Sequence, residues 1–121
     1  MITSHITKAI IKRNKVRDGI DICPENINEG ECFIWALLFY QNYGGSLYTV
    51  RYWGGHAFVL HQNKYYDSES PRGIKDWRRL KSFKYKKNIP EGYASKMSLA
   101  KFLKYWKITK TLIRSYQKFL K

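Results

Sequence analysis

The chain has 121 residues, of which 44% are hydrophobic and 17% aromatic, so it can bury a core without disulfides or metals and is not a disordered chain. Its longest apolar run, residues 32–40, is well short of the ~20 residues that cross a bilayer. The formal net charge is +14, and most of it lies in residues 61–121. We therefore expect a single domain over residues 1–121, with no transmembrane segment and a strongly basic second half.

The N-terminal sequence MITSHITKAIIKRNK lacks the charged start, apolar centre and small-residue cleavage site of a secretory signal. The sequence therefore predicts a cytoplasmic protein, in a host cytoplasm if a phage or mobile element encodes it. In that compartment Cys23 and Cys32 stay reduced, and two cysteines are too few for a disulfide framework. Their spacings with the histidines match no zinc pattern, so we expect neither a metal nor a cofactor.

The first predicted elements are a short helix and a loop. Residues 4–17, SHITKAIIKRNKVR, place their apolar side chains on one side of a helix. Residues 18–30, DGIDICPENINEG, are rich in Pro, Asn and Gly, which is typical of a loop.

The next element is the helix predicted from the stretch GECFIWALLFYQNYGG. It is apolar almost all round, which indicates a central buried helix. Either Asn28 or Gly30 is the expected N-cap, and the two glycines at 44–45 end the helix. Both choices of cap place Cys32 near the positive end of the helix dipole, which favours a thiolate.

Three strand-like runs follow, and then a second helical region. Residues 46–53, 55–61 and 64–70 are rich in β-branched and aromatic side chains and are separated by turn residues. Residues 95–121 return to helical spacing, with Lys on most of the outer positions. These elements predict an α+β fold: a central N-terminal helix packed on a small antiparallel sheet, followed by a basic amphipathic helix.

A hairpin turn at residues 62–63 would bring several polar side chains together. Any even-length loop centred there pairs positions whose numbers sum to 125, so His56, Asp67 and Glu69 share one face of the sheet. Asp67 is then the diagonal neighbour of His56, within reach of an imidazole-to-carboxylate contact.

This arrangement suits nucleophilic catalysis. A free thiol has a pKa of roughly 8.5 and needs an adjacent imidazole to become a thiolate at neutral pH, while a third group orients the imidazole. Cys32, His56 and Asp67 offer these three roles, with Glu69 as an alternative third member. The alternative interpretation of Cys32 is a small buried hydrophobe beside a structural histidine.

The strings GECFIWA, GGHAFVL and KYYDSES, within residues 26–70, resemble the papain-like cysteine peptidase superfamily, including its transglutaminase-like and bacterial cell-wall amidase branches. Members carry Cys at the start of a buried helix, His at the start of a strand, and Asp or Asn on the next strand. The resemblance implies a thiol hydrolase or acyltransferase acting on a peptide, isopeptide or side-chain amide. The chemistry also requires an oxyanion donor, for which the candidates are the Cys32 N–H and the side-chain amide of Asn26 or Asn28. The resemblance adds that Asn26 stands where papain-like enzymes tend to have an oxyanion-hole glutamine. The tryptophan, at position 35, does not follow the cysteine directly as it does in papain.

The basic half has its own set of candidate residues. Residues 77–87, WRRLKSFKYKK, interleave aromatic and basic side chains, as phosphate contact and base stacking require. The candidate surface comprises Arg72, Arg78, Arg79, Lys81, Lys84, Lys86 and Lys87. A solvated outer face, nucleic acid, an anionic membrane surface and an acidic partner protein all fit this composition. The alternative function is thus a non-catalytic basic binding module for nucleic acid or an acidic host protein. A third role is that of a small effector or inhibitor that binds a host protein, and no residue of the sequence favours it over the other two.

Overall fold

The computed structural model describes residues 3–120 and begins with three helices. They are α1 (Ser4–Asp18), α2 (Pro24–Gly30) and α3 (Cys32–Tyr43). Helix α1 confirms the predicted first helix and ends at Gly19, which has a left-handed conformation. Helix α3 confirms the predicted buried helix, because seven of the eight residues from Cys32 to Phe39 are buried, Phe33 being the exception.

The loop predicted over residues 18–30 is wrong for its second half, which forms α2. Pro24 stands at the first helical position, where the missing N–H is not needed. The Cys23 N–H donates to Asn26 Oδ1 at 2.9 Å, which satisfies a backbone donor at the start of the helix. Pro and Asn are therefore helix-start signals here, although the same residues are typical of loops.

Helix α3 begins later than predicted. Asn28 and Gly30 belong to the last turn of α2, so neither can cap the next helix. Glu31 has non-helical angles (φ −131°, ψ 24°), and its carbonyl accepts the N–H groups of Ile34 and Trp35. Cys32 is consequently the first residue of α3.

The remaining chain forms one sheet and two further helices. The strands are β1 (Ser46–Val50), β2 (His56–His61), β3 (Lys64–Asp67), β4 (Ser70–Ile74) and β5 (Ala94–Met97). Their order across the sheet is β4-β3-β2-β1-β5, and all neighbours are antiparallel. The prediction of an α+β fold with a small antiparallel sheet is confirmed. Strands β4 and β5 are additions to the predicted three.

The β2–β3 hairpin has the predicted register. Val59 pairs with Tyr66, and His61 pairs with Lys64, so paired positions sum to 125. The two loop residues, at 62 and 63, both have positive φ (48° and 65°), as a type I′ turn requires.

The single helix predicted over residues 95–121 is wrong. That range contains the end of β5 and two helices, α4 (Leu99–Tyr105) and α5 (Lys110–Gln117). Lys107, with a φ of 56°, interrupts the helical path, and Thr109 caps α5 by accepting the Leu112 N–H at 3.1 Å. Lys121 lies outside the described residues.

Two hydrophobic clusters cover the two faces of the sheet. The larger one includes α3, α1 and side chains of β1 and β2. The smaller one joins Val50 and Phe58 to Trp77, Leu80, Phe83 and Ile89. Its last four members lie in an irregular segment that has 3-10 turns at Trp77–Arg79, Lys81–Phe83 and Glu91–Tyr93. The first residue of α3 lies beside the start of β2, which is the central strand of the sheet.

Candidate active site

Cys32 is the first residue of α3 and is only 4% exposed. Its Sγ accepts the Ala57 N–H at 3.4 Å, so the helix start is attached to β2 through the sulfur. Among residues 3–120, the Cys32 N–H has no backbone acceptor. The sulfur therefore lies at the start of a helix, beside a backbone N–H donor of the sheet.

His56, the first residue of β2, contacts Asp67 as predicted. Its Nε2 lies 3.0 Å from Asp67 Oδ2, and both side chains are buried. Burial alone lowers the pKa of His56, but the hydrogen bond to Asp67 and the interaction with the Cys32 sulfur outweigh burial and raise the pKa to about 9. Both interactions favour the protonated imidazolium.

The second ring nitrogen of His56 is available for chemistry. Nδ1 is buried and has no hydrogen-bond partner among residues 3–120. Because Nε2 is occupied by Asp67, Nδ1 is the nitrogen left to exchange a proton with sulfur or substrate.

Asp67 is held by four donors in all. Its Oδ1 accepts the backbone N–H groups of Glu69 at 3.0 Å and Ser70 at 2.9 Å. Its Oδ2 accepts the Asn28 side-chain amide at 3.2 Å in addition to His56. These bonds fix the carboxylate in one orientation, so it can orient the imidazole in turn.

Asn28 is not available for its predicted role as an oxyanion donor. Its Nδ2 donates to Asp67 Oδ2 and, at 3.0 Å, to Glu69 Oε1, which uses both amide hydrogens. Ser68 Oγ lies 2.7 Å from Asn28 Oδ1. Asn28 therefore supports Asp67 and has no hydrogen left for an oxyanion. Glu69 contacts Asn28, and Asp67 takes the third position of the triad.

Asn26, the other predicted oxyanion donor, is exposed and engaged at the start of α2. Its Oδ1 accepts the Cys23 N–H, and Asn26 does not line the cleft beside His56. Of the predicted oxyanion donors, the structure leaves the Cys32 N–H beside the sulfur.

Glu31 ties the start of α3 to the first and last helices. Its carboxylate accepts hydrogen bonds from the Tyr116 hydroxyl and, at 3.0 Å, from the Asn14 amide. Burial and the bond to Glu31 raise the pKa of Tyr116. The Arg13 guanidinium stacks 4.3 Å from the centroid of the Tyr116 ring. Sequence reasoning missed this network, because no local pattern connects α5 with the residue before Cys32.

A cleft of about 660 Å³ opens at His56. One side of the cleft is lined by side chains of α2 and by Glu69. The other side is lined by the turn before β2 and by residues 81–85. The lining residues are Glu25, Asn28, Glu29, Tyr52, Trp53, Gly54, Gly55, His56, Glu69, Lys81, Ser82, Phe83, Lys84 and Tyr85. The cleft is large enough for an extended peptide segment or a side chain.

The predicted basic surface is exposed apart from Arg78. That guanidinium contacts the Asp76 carboxylate, with Nε 3.1 Å from Oδ1, and holds the pKa of Asp76 below its ordinary value. Among residues 3–120, the other six basic candidates make no ion pair. Trp77 and Phe83 are buried in the smaller hydrophobic cluster, so they cannot stack on bases. Tyr85, which is 84% exposed, is the aromatic of this segment left for such contacts.

No protein-family model, curated protein or solved structure matches this chain. Within residues 3–120, no three or more His, Cys, Asp or Glu side chains are grouped to hold a metal ion. None of the helices in that range has both the length and the apolar character to cross a membrane.

Proposed function

We propose that the protein is a papain-like thiol hydrolase or acyltransferase that acts on an amide through Cys32, His56 and Asp67. One observation carries the proposal: the buried His56 places Nε2 on Asp67 and leaves Nδ1 unpaired, next to a sulfur at a helix start. A structural histidine would be expected to satisfy both nitrogens once buried.

In the proposed reaction, the Cys32 thiolate attacks the carbonyl carbon of the amide and forms a C–S bond. The carbonyl oxygen becomes an oxyanion, which accepts the Cys32 N–H. His56 holds its proton below a pH of about 9 and gives it from Nδ1 to the leaving nitrogen, so the C–N bond breaks and an amine departs. Cys32 is left as a thioester.

The second half of the reaction restores the thiolate. Neutral His56 takes a proton from water or from an amine, which attacks the thioester carbonyl and expels the sulfur. Water yields a carboxylic acid and an amine yields a new amide. Peptides, isopeptides and side-chain amides all present the same carbonyl chemistry.

The pH dependence of alkylation tests the proposal without a known substrate. Iodoacetamide reacts with the thiolate and releases iodide, and peptide mapping by mass spectrometry separates Cys32 from the exposed Cys23. We expect the Cys32 rate to extend to lower pH in the wild type than in His56→Gln. The matched control is His61→Gln, which alters a histidine outside the cleft and should keep the wild-type profile.

The proposal fails if Cys32 is inert in the wild type, or if His56→Gln leaves its profile unchanged. Circular dichroism of the variants shows whether a changed profile reflects lost folding. The exposed Cys23 provides a second check, because its alkylation rate should not depend on His56 in a folded protein.

A basic binding module is the second candidate, favoured by the six exposed basic side chains that lack an ion pair. Binding of a labelled single-stranded oligonucleotide should weaken steeply with added salt if phosphate contacts dominate. The variant Arg79→Gln/Lys87→Gln should lower this affinity and leave Cys32 alkylation unchanged. Salt-independent binding, or no binding, would contradict this second function for nucleic acid.

A further inference from the structure

The cleft carries a charge balance opposite to that of the whole chain. The chain has 23 Lys and Arg and nine Asp and Glu, yet three carboxylates line the cleft against two ammonium groups. The carboxylates are those of Glu25, Glu29 and Glu69, and the ammonium groups are those of Lys81 and Lys84. His56 also lines the cleft, but the charge that it carries when protonated is balanced by the Asp67 carboxylate. Most of the Lys and Arg side chains of the chain therefore lie outside the cleft.

These carboxylates are not neutralised by the protein. Within residues 3–120, the ion pairs are formed by aspartates, and none involves a cleft glutamate. Glu25 and Glu29 are one turn apart on α2 and exposed, and Glu69 accepts only the neutral Asn28 amide. Two like charges at this spacing on a helix repel each other. A bound cation would reduce this electrostatic repulsion.

The other side of the cleft offers aromatic faces. Tyr52, Trp53 and Tyr85 are 50%, 48% and 84% exposed. The Lys86 ammonium lies 5.2 Å from the centre of the Trp53 ring, and the Lys84 ammonium lies 4.9 Å from the centre of the Tyr85 ring. Both rings therefore already receive a cation of the protein, which a substrate cation would have to replace. Carboxylates facing aromatic rings form a suitable environment for an alkylammonium or a guanidinium.

An independent observation indicates that this cleft binds a ligand. His56 lines it, is 4% exposed and has an unpaired Nδ1. A buried polar atom without a partner is costly unless a ligand or reacting group completes it.

We infer that the acidic side of the cleft binds a cationic side chain, a lysine or an arginine, of a peptide substrate. Bound there, the cation would bring an amide of the same peptide to His56, which lines the cleft and interacts with the buried Cys32. The inference rests on the proposed thiol chemistry and specifies its substrate class.

Charged thiol reagents test the inference at the sulfur itself. Methanethiosulfonates carrying 2-aminoethyl, methyl or 2-sulfonatoethyl groups form a mixed disulfide with Cys32 and release methanesulfinate. In a Cys23→Ser background Cys32 is the single thiol. We expect the cationic reagent to react roughly tenfold faster than the anionic one, despite the net charge of the chain. Added salt should lower the ratio of the cationic to the anionic reaction rate, because it screens the charges.

A matched pair of variants locates the effect. Glu25→Gln/Glu29→Gln should reduce the preference for the cationic reagent severalfold. Glu91→Gln removes an exposed carboxylate that does not line the cleft and should keep the wild-type ratio.

The outcomes separate the inference from the proposed function. Equal rates for the three reagents, or an anionic preference, would overturn the inference while a reactive Cys32 leaves the thiol function standing. An unchanged ratio in the double variant would also overturn it. Inertness of Cys32 toward all three reagents and toward iodoacetamide would overturn both.

Discussion

Replacing Asp67 with asparagine should remove the main contribution that keeps His56 charged. The rise in the pKa of His56 from 6.5 to about 9 corresponds to about 3 kcal/mol in favour of the imidazolium. Burial opposes this rise, and the hydrogen bond to Asp67 is the largest contribution in its favour. We therefore expect Asp67→Asn to lower the pKa of His56 by about 1–3 units, so that the ring loses its proton closer to neutral pH. The amide oxygen can still accept the two backbone N–H groups that hold Asp67, but the new NH2 group cannot accept the Asn28 amide, so that bond is also lost.

The titration can be followed by NMR with isotope-labelled histidine. The chain has three histidines, and His56→Gln identifies the His56 signal by its loss. The wild-type midpoint should lie near 9, with imidazolium below it and imidazole above. Asp76→Asn is the matched control, since it removes a carboxylate that pairs with Arg78 and should leave His56 unchanged. A wild-type midpoint near 6.5, or an equal midpoint in Asp67→Asn, would refute the reasoning.

Three further predictions concern stability in urea. Phe39→Ala removes a fully buried ring and should cost about 3–5 kcal/mol of unfolding free energy; a cost below about 1 kcal/mol would contradict the described core. Tyr116→Phe removes the hydroxyl that donates to the Glu31 carboxylate and should cost about 1.5–3 kcal/mol; an unchanged urea midpoint would argue against that bond. Gly45→Ala should cost more than Gly44→Ala: both have positive φ, but only at Gly45 would a Cβ meet a backbone oxygen, at 2.5 Å, and equal losses would contradict this close approach.

The parts of the fold that local pattern determines were predictable. The apolar run from residue 32 onward specifies a buried helix, and the two-residue turn at 62–63 fixes the β2–β3 register. That register alone is enough to bring His56 and Asp67 together. The predicted contact between His56 and Asp67 is therefore as local as the hairpin on which it depends, whereas the position of Cys32 depends on how α3 packs against β2.

The errors come from residues whose role depends on context. Pro24 begins a helix here, and in a loop the same residue would end one. In the C-terminal region, the helical spacing of apolar residues continues across Lys107, but Thr109 starts a new helix. Periodicity records which face is buried, and it does not record where the backbone turns.

The supporting residues of the site could not be predicted for a different reason. Asn28 and Asp67 are 39 residues apart, and their contact requires α2, which was not predicted. Without that helix, the sequence offers Asn28 as an oxyanion donor only because it is a side-chain amide close to Cys32 in the chain. Long-range pairs of this kind depend on the whole packing arrangement and leave no spacing signal in the chain.

The bond between Tyr116 and Glu31 also sets an order of events during synthesis. The two residues are 85 positions apart. At about 5–20 residues per second, the ribosome adds Tyr116 about 4–17 s after Glu31. Cys32, His56 and Asp67 have all been made by then, but the helix that carries the sulfur lacks its anchor. Any property of Cys32 that depends on this anchor is therefore delayed until α5 has been made.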